Sequence, residues 1–502
     1  MTWFPGSRKT LTFVVSLAFV LAFGLRMVDL TDLPLDFNPG RQLFSMLKAR
    51  GMYYALSPEL PAWQREIAIQ QWQETAVIEP PVLEALVAVS YRAFGEHLEI
   101  PRIYSSIFWL VGGLFLFLLA RQMTGAGGAL IALLFYLFLP FGVYASRSFQ
   151  PDPLMVALIC AALWGMWNWR EHGSWRYALT AGLLTGAAIF VKNVAVFPLG
   201  VAAMALVLEW GLVAALKDRQ TWVVALLAVL PVALYTLYGV AIAGYLGGQF
   251  DFRFFPNLWP TAAFYLQWKN QLEGVFGFSL VLLGLAGMFA ARRRVFALLA
   301  GLWIGYFLYG MTFAYHITSH DYYQLLLMPT LALSLAVVAE ILFEHAAALR
   351  NLRLARAVIA LGLLAVVAVE MWTVRVELVR QDYRPDAAYQ WSIGEVLGHT
   401  STPVVSLAQD YGGRLAYWGW QPNVAWYDES MLVLRDLAGR DIDLAGQFPK
   451  MIEGKRFFVV THLAELERQA YLKDVLYSNY PVYAEGKGYV IFDLAHPKNS
   501  TP

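Results

Sequence analysis

Two acids and a small set of cations stand where an otherwise apolar chain turns polar. Asp36 lies in LPLDFNPGRQ, residues 33–42, directly after the first long apolar run, with Asn38, Arg41 and Gln42 close behind it. Asp152 lies in RSFQPDPL, about two apolar runs later, with Arg147 before it. Glu79, Arg102, Lys192, His316 and the cluster His320, Asp321, Tyr322 and Tyr323 stand near the ends of other apolar runs. Charges at such a depth are costly unless paired or hydrated, so they mark function by default. A carboxylate held there can take the proton of a hydroxyl. Arginine and lysine can hold a phosphate and stabilise its charge as it departs. The set points to a phosphorylated, membrane-embedded substrate.

The elements that position these residues are membrane spans. Of 502 residues 59% are hydrophobic and only 15% charged, against about a quarter charged in soluble domains. The chain is therefore polytopic up to about residue 376. A net charge of +1 gives no basic field for nucleic acid. Cys160 is the one cysteine and sits inside an apolar run, which excludes a disulfide within the chain and makes a poor thiol catalyst. No phosphate-binding GxxxxGK[ST], HExxH or GxSxG occurs. His320 and Asp321 could in principle bind a metal, but two ligands so close on one loop are weak evidence, and no cofactor is expected.

A short basic start, MTWFPGSRKT, precedes the first run, Leu11 to about Val28, and no small-residue cleavage site follows; this reads as a retained signal anchor. Ten further spans are expected at roughly 103–120, 127–145, 153–169, 177–191, 194–215, 222–246, 274–291, 295–315, 322–343 and 357–376. Arg8 and Lys9, Arg121, Arg170 and Arg176, Lys217 and Arg219, Arg292 to Arg294, and Arg350, Arg353 and Arg356 then fall on one side, the cytoplasm by the positive-inside rule. The other side carries loops at about 30–102, 247–273 and 316–324. In the first, Trp63, Ile67, Ile69 and Trp72 predict an amphipathic helix lying at the interface, and Pro80 and Pro81 break the chain before another helix.

From about residue 377 the apolar runs shorten. VVSLAQ, AWY, RFFVVTH and GYVIFDL predict strands; PDAAYQWSIGEVLGHT and LAELERQAYLKDVLYSNY predict helices. The fold class expected is a polytopic α-helical bundle of about eleven spans, residues 1–376, carrying the catalytic groups, with an extracytoplasmic α/β domain at 377–502. In that domain Asp410, Tyr411 and the run YWGWQPNVAWY offer either a sugar-stacking surface or a core, and core is favoured.

In this order the residues resemble a known family. The acid after the first span (LPLDFNPGRQ), the Pro-Pro step (IEPPVLEAL), PRIYSS, SRSFQPDPL, VKNVAVFP and HDYYQLLLMP are similar to the pattern of the GT-C membrane glycosyltransferases, family 39 branch, which includes protein O-mannosyltransferases and the lipid A aminoarabinose transferase. The resemblance covers about residues 10–345. It implies inverting transfer of a hexosyl or pentosyl group from a polyprenyl phosphate to a glycan, lipid or protein hydroxyl, on the outer face of the plasma (inner) membrane. It makes Asp36 the general base and Asp152 its support, with Arg147 and Lys192 near the donor phosphate. Arg41, Arg102 and the His320–Tyr323 cluster would line the substrate site. Two departures stand out: Phe37 follows Asp36 where the family often has an acid, and Glu79 precedes the Pro-Pro step where it often has His or Lys. A lipid-linked sugar flippase is the alternative. It would call for charged or broken segments near the midplane or for repeated halves, and the sequence shows neither. A non-catalytic partner in envelope assembly is a third reading, against which the retained acids count.

Overall fold

The computed structural model describes residues 8–247, 251–349 and 351–498. The start of the N-terminal basic segment, Arg350 and part of the 247–273 loop lie outside the described residues. The chain is mainly helical. It runs through Arg8–Arg26 (α1), Pro39–Ala55 (α2), Ala62–Glu74 (α3), Val82–Phe94 (α4), Glu99–Met123 (α5), Ala126–Phe138 (α6), Pro140–Ser146 (α7), Asp152–His172 (α8), Trp175–Val191 (α9) and Val196–Trp210 (α10). Leu212–Lys217 (α11), Arg219–Leu237 (α12), Ala262–Phe276 (α13), Phe278–Phe289 (α14), Arg293–Thr312 (α15), Ala314–Ser319 (α16), Leu327–Ala347 (α17) and Leu352–Leu378 (α18) follow.

Among the described residues seven helices are long and apolar enough to cross a membrane, or up to nine spans if two bent pairs each count as one. One bent pair is α6–α7, turning by 59° where Pro140 opens the second helix. The other is α13–α14, turning by 93° at Gly277, whose φ of 76° suits glycine. Both bends fall in segments read as single spans, 127–145 and 274–291. The expected span at 274–291 begins as α13, inside what was read as a loop, and bends where a straight helix was expected.

Two compact units emerge. The bundle unit holds the described residues up to Leu30, Val77–Leu83 and Glu99–Gln381. The mixed α/β unit holds Thr31–Ala76, Glu84–Leu98 and the described residues from Asp382 onward. Most of the first long loop therefore groups with the C-terminal region, while Val77–Leu83, which carries Glu79, groups with the spans.

Within the bundle unit, close backbone approach relies on small residues, as expected where lipid offers helices no hydrophobic drive to associate. Gly301 and Gly305 of α15 face α10. A Cβ at Gly305 would stand 2.5 Å from the Phe197 carbonyl oxygen, and one at Gly301 would stand 2.7 Å from the Ala202 Cα. Gly305→Val is expected to destabilise the bundle by about 1–3 kcal/mol, the usual cost of overpacking. The check is the thermal unfolding midpoint of the detergent-solubilised protein, and an unchanged midpoint would mean that α10 and α15 part without cost.

The mixed unit contains a five-stranded sheet in the order β2-β1-β3-β5-β4. Its strands are Val404–Leu407 (β1), Asn423–Ala425 (β2), Phe457–Val460 (β3), Val482–Gly486 (β4) and Tyr489–Asp493 (β5). β1 pairs in parallel with β2 and β3, while β5 is antiparallel to β3 and β4. Arg384–Leu397 (α19), Gly413–Trp418 (α20), Glu429–Leu437 (α21), Leu444–Ile452 (α22), Leu463–Arg468 (α23) and Ala470–Asn479 (α24) complete it. Part of the apolar face of α3 packs inside this unit: Ile67 and Ala68 pack with Tyr54 and Trp420, while Trp63 stays exposed. The aromatic run 417–427 is core, as favoured: Tyr417, Trp418, Trp420 and Trp426 are all buried.

The first loop is sewn to the C-terminal region through Arg50. Its guanidinium lies 3.4 Å from the Tyr417 ring centre and 4.2 Å from that of Trp420. Its Nε donates to Glu96 at 2.7 Å. Tyr417 also donates to Glu96, and Gln71 donates to the Ala416 carbonyl at 2.8 Å.

Candidate active site

In the bundle unit the chain brings together residues far apart in sequence. Lys192 follows α9 in extended backbone, before a short 3-10 turn leads into α10. That break frees its side chain from the helix wall. Its ammonium donates to both oxygens of Asp152, at 2.9 and 2.8 Å. Glu79 stands 3.9 Å away, and the Tyr322 ring centre lies 5.3 Å from the same nitrogen. Asp152 is the first residue of α8, where the helix dipole favours a carboxylate. Asp152 is 2% exposed and Lys192 8%. A buried ammonium of this kind persists only beside acids, and it has two.

Tyr322 and Tyr323 lie on a 3-10 turn, Asp321–Leu326, that opens α17. Around it rings stack. Tyr323 lies 5.6 Å from Tyr309 and 5.4 Å from His316, nearly parallel to both. His316 in turn stacks on His320 at 5.7 Å. Burial, and then the nearby His320 and Arg253, push the His316 pKa down to about 3, so this ring is neutral at working pH. The HDYY cluster thus adjoins the Asp152–Lys192 pair through Tyr322. Among the described residues no three His, Cys, Asp or Glu side chains gather as metal ligands.

Arg102 and Arg147 are fully buried and reach the chain just past α1. Arg102 donates to the Leu30 carbonyl at 3.2 Å. Arg147 donates to the Val28 and Asp29 carbonyls at 2.7 and 3.1 Å. A third arginine escaped the sequence reading. Arg26, inside α1 and 0% exposed, donates to the Ser146 hydroxyl at 2.7 Å and to the Ala22 and Leu137 carbonyls. Its signal was an arginine two residues before the end of an apolar run, and that run was read only for its length.

Asp36 and Arg41 belong to the mixed unit. The stretch 33–37 folds inward on Leu33, Leu35 and Phe37, all buried, and leaves Asp36 half-buried between them. Asn38, at a φ of 45°, caps the turn before Pro39 opens α2. Gln42 reaches back and donates to the Phe37 carbonyl at 2.7 Å. Asp32 accepts from the Leu33 amide at 2.8 Å and from the Tyr383 amide at 2.9 Å. Tyr383 is a neighbour that the sequence gave no reason to choose. Its phenol is pushed up by burial and then by the negative charge of Asp36, against the pull of Arg414. Arg414 itself pairs with Asp410 at 2.6 Å. Asp410 and Tyr411 both hold left-handed backbone next to Gly412, and the Tyr411 ring faces Gly40 at the start of α2. The segment bearing Asp36 is therefore packed by residues more than 300 positions later in the chain.

The likeness of this architecture to known proteins is specific. Residues 78–238 match the family model described as dolichyl-phosphate-mannose-protein mannosyltransferase. No curated protein matches the chain in sequence. Among solved structures, ArnT from Cupriavidus metallidurans bound to undecaprenyl phosphate is 16% identical, with a TM-score of 0.60 over 97% of this chain and 98% of that one. The oligosaccharyltransferase of Archaeoglobus fulgidus, in its apo form, is 13% identical, with a TM-score of 0.56 over 98% of this chain and 76% of that one. The same enzyme tethered to an acceptor peptide with the NVT sequon gives a TM-score of 0.59 at 12% identity, over 99% and 74%. The resemblance read from the motifs and the fold found in the structure agree, and the chain has the architecture of the GT-C superfamily of membrane glycosyltransferases.

Proposed function

We propose that the protein is an inverting glycosyltransferase that moves a sugar from a polyprenyl-phosphate donor to an acceptor hydroxyl. The observation that carries this reading is the buried Asp152–Lys192 pair, flanked by Glu79 and Tyr322, in a bundle of GT-C architecture. The undecaprenyl phosphate bound to the ArnT structure supports a donor of that class.

In the reaction the acceptor oxygen forms its bond to the anomeric carbon from the face opposite the phosphate. The carbon–oxygen bond to the phosphate breaks, and its electron pair leaves with the lipid phosphate. The acceptor proton passes to the Asp36 carboxylate. The departing phosphate needs positive charge more than it needs a proton. Lys192 supplies that charge, held in place by Asp152, with Arg102 and Arg147 as further cations. Arg41 and the His320–Tyr323 cluster contact the substrates.

We place the site on the extracytoplasmic face, with the N-terminus in the cytoplasm. One topological fact supports an even number of crossings after the first. Residues 31–76 and those from 382 onward share one compact unit, so the chain between them crosses the membrane an even number of times. Ten crossings meet this if α8, of 21 residues, and α9, of 17, span as well. That makes eleven with α1. The test is a screen of lipid-linked sugars with the purified, reconstituted protein. Transfer with the anomeric configuration inverted is expected from at least one polyprenyl-phosphate sugar. Transfer with retention rejects the mechanism, and movement of the donor across vesicles without transfer favours a flippase.

A further inference from the structure

A slot lies inside the bundle unit between α18 and its neighbours. It has a volume of about 450 Å³ and is walled by Phe135 and Phe138 of α6, Leu283 of α14, Ala339 of α17 and Leu363 of α18. Glu370 is the single charged residue among its lining side chains. α18 is the least packed of the candidate spans, with 6% of its apolar window buried.

Three observations choose the occupant. First, α18 touches both α6 and α17, so the gap between them is bridged at side-chain distance. A helix, about 10–12 Å across with its side chains, cannot enter, whereas an extended hydrocarbon chain can. Second, a carboxylate on an apolar wall is costly unless a cation meets it. Glu370 stands about two turns before the end of α18 at Leu378. The helix, at 27 residues, is about 40 Å long against a hydrocarbon core of about 30 Å. Glu370 is therefore within several ångström of head-group level. Third, the sign of that charge favours a cationic lipid head over an anionic one. Glu377, two turns further along the same helix, is already paired with Arg380 at 3.2 Å, so Glu370 alone carries this preference.

We infer that this slot binds one acyl chain of a glycerophospholipid whose head group carries a primary ammonium, with Glu370 receiving the ammonium. The site stands apart from the transfer chemistry and does not depend on it.

The test uses the full-length protein in nanodiscs of mixed phosphatidylethanolamine and phosphatidylglycerol, followed by native mass spectrometry. The wild type is expected to retain one phosphatidylethanolamine, preferred over phosphatidylglycerol by about fivefold, the scale of one ion pair near a polar boundary. Glu370→Gln should keep a lipid and lose the preference. Leu363→Trp, which fills the slot, should lose the lipid. The proposal is overturned if the wild type retains no lipid, if it holds both phospholipids equally, or if the bound lipid is a polyprenyl phosphate. Retention by Leu363→Trp equal to wild type overturns it too. Should Leu363→Trp fail to fold, the preference lost or kept in Glu370→Gln decides alone.

Discussion

Asp36→Asn is expected to insert and fold as the wild type does and to turn over about 10²–10⁴ times more slowly, the usual worth of a positioned general base. The substitution keeps size and shape at a half-buried site, and Asp32 and Gln42 also hold the turn around it. Asp32 binds the Leu33 and Tyr383 amides, and Gln42 binds the Phe37 carbonyl. Thermal stability should therefore move little while transfer collapses and donor binding remains. Near-normal turnover by the mutant would remove Asp36 from the proton step. A collapse of stability along with activity would make it a fold residue.

Removing Lys192 is the second large effect, and it should differ from removing Asp152. Lys192→Met leaves two carboxylates, Asp152 and Glu79, facing one another in a buried place without their cation. Taking one partner from a buried pair costs about 3–5 kcal/mol. Asp152→Asn leaves the ammonium with Glu79 still 3.9 Å away, so its loss should be smaller. The double variant Asp152→Asn/Lys192→Met removes both charges and should recover much of the thermal midpoint. It should not recover transfer, because the cation for the departing phosphate is gone. If the double variant works as an enzyme, Lys192 serves only its partner. If Lys192→Met is as stable as wild type, the pair is not buried as described.

Much of this arrangement could be read along the chain, because spans announce themselves by length and apolar content. The helix ends found at Val191, before Lys192, and at Ser146, just before Arg147, fall close to where the apolar runs were read to stop. HDYY stood out as polar residues opening an apolar span. The joining of Glu79, Asp152 and Lys192 did not stand out, since no local rule ties residues so far apart. Edge strands were also poorly legible. β4 was missed because Val482 and Tyr483 are exposed and form no apolar run, and β2 begins two residues before the AWY segment that was read as a strand and shares only Ala425 with it. The grouping of the first loop with the C-terminal region was hidden for the same reason as the ion pair. It rests on contacts such as Arg50 with Tyr417, which depend on how the chain returns.

That return bears on how the protein is made. The α/β unit is assembled from three stretches of chain, and the last of them begins at Asp382. The ribosome delivers the Asp36 segment early and its packing partners, Tyr383 and Arg414, only after every helix of the bundle. Until then α2 and α3 present the apolar faces that later meet Tyr417 and Trp420, and such unsatisfied surfaces invite chaperones and proteases. A nascent chain stalled before residue 382 would be a fully threaded membrane protein with its acid segment still unfolded. Completion of the α/β unit thus waits on synthesis of the tail, which sets a late step in the making of the protein.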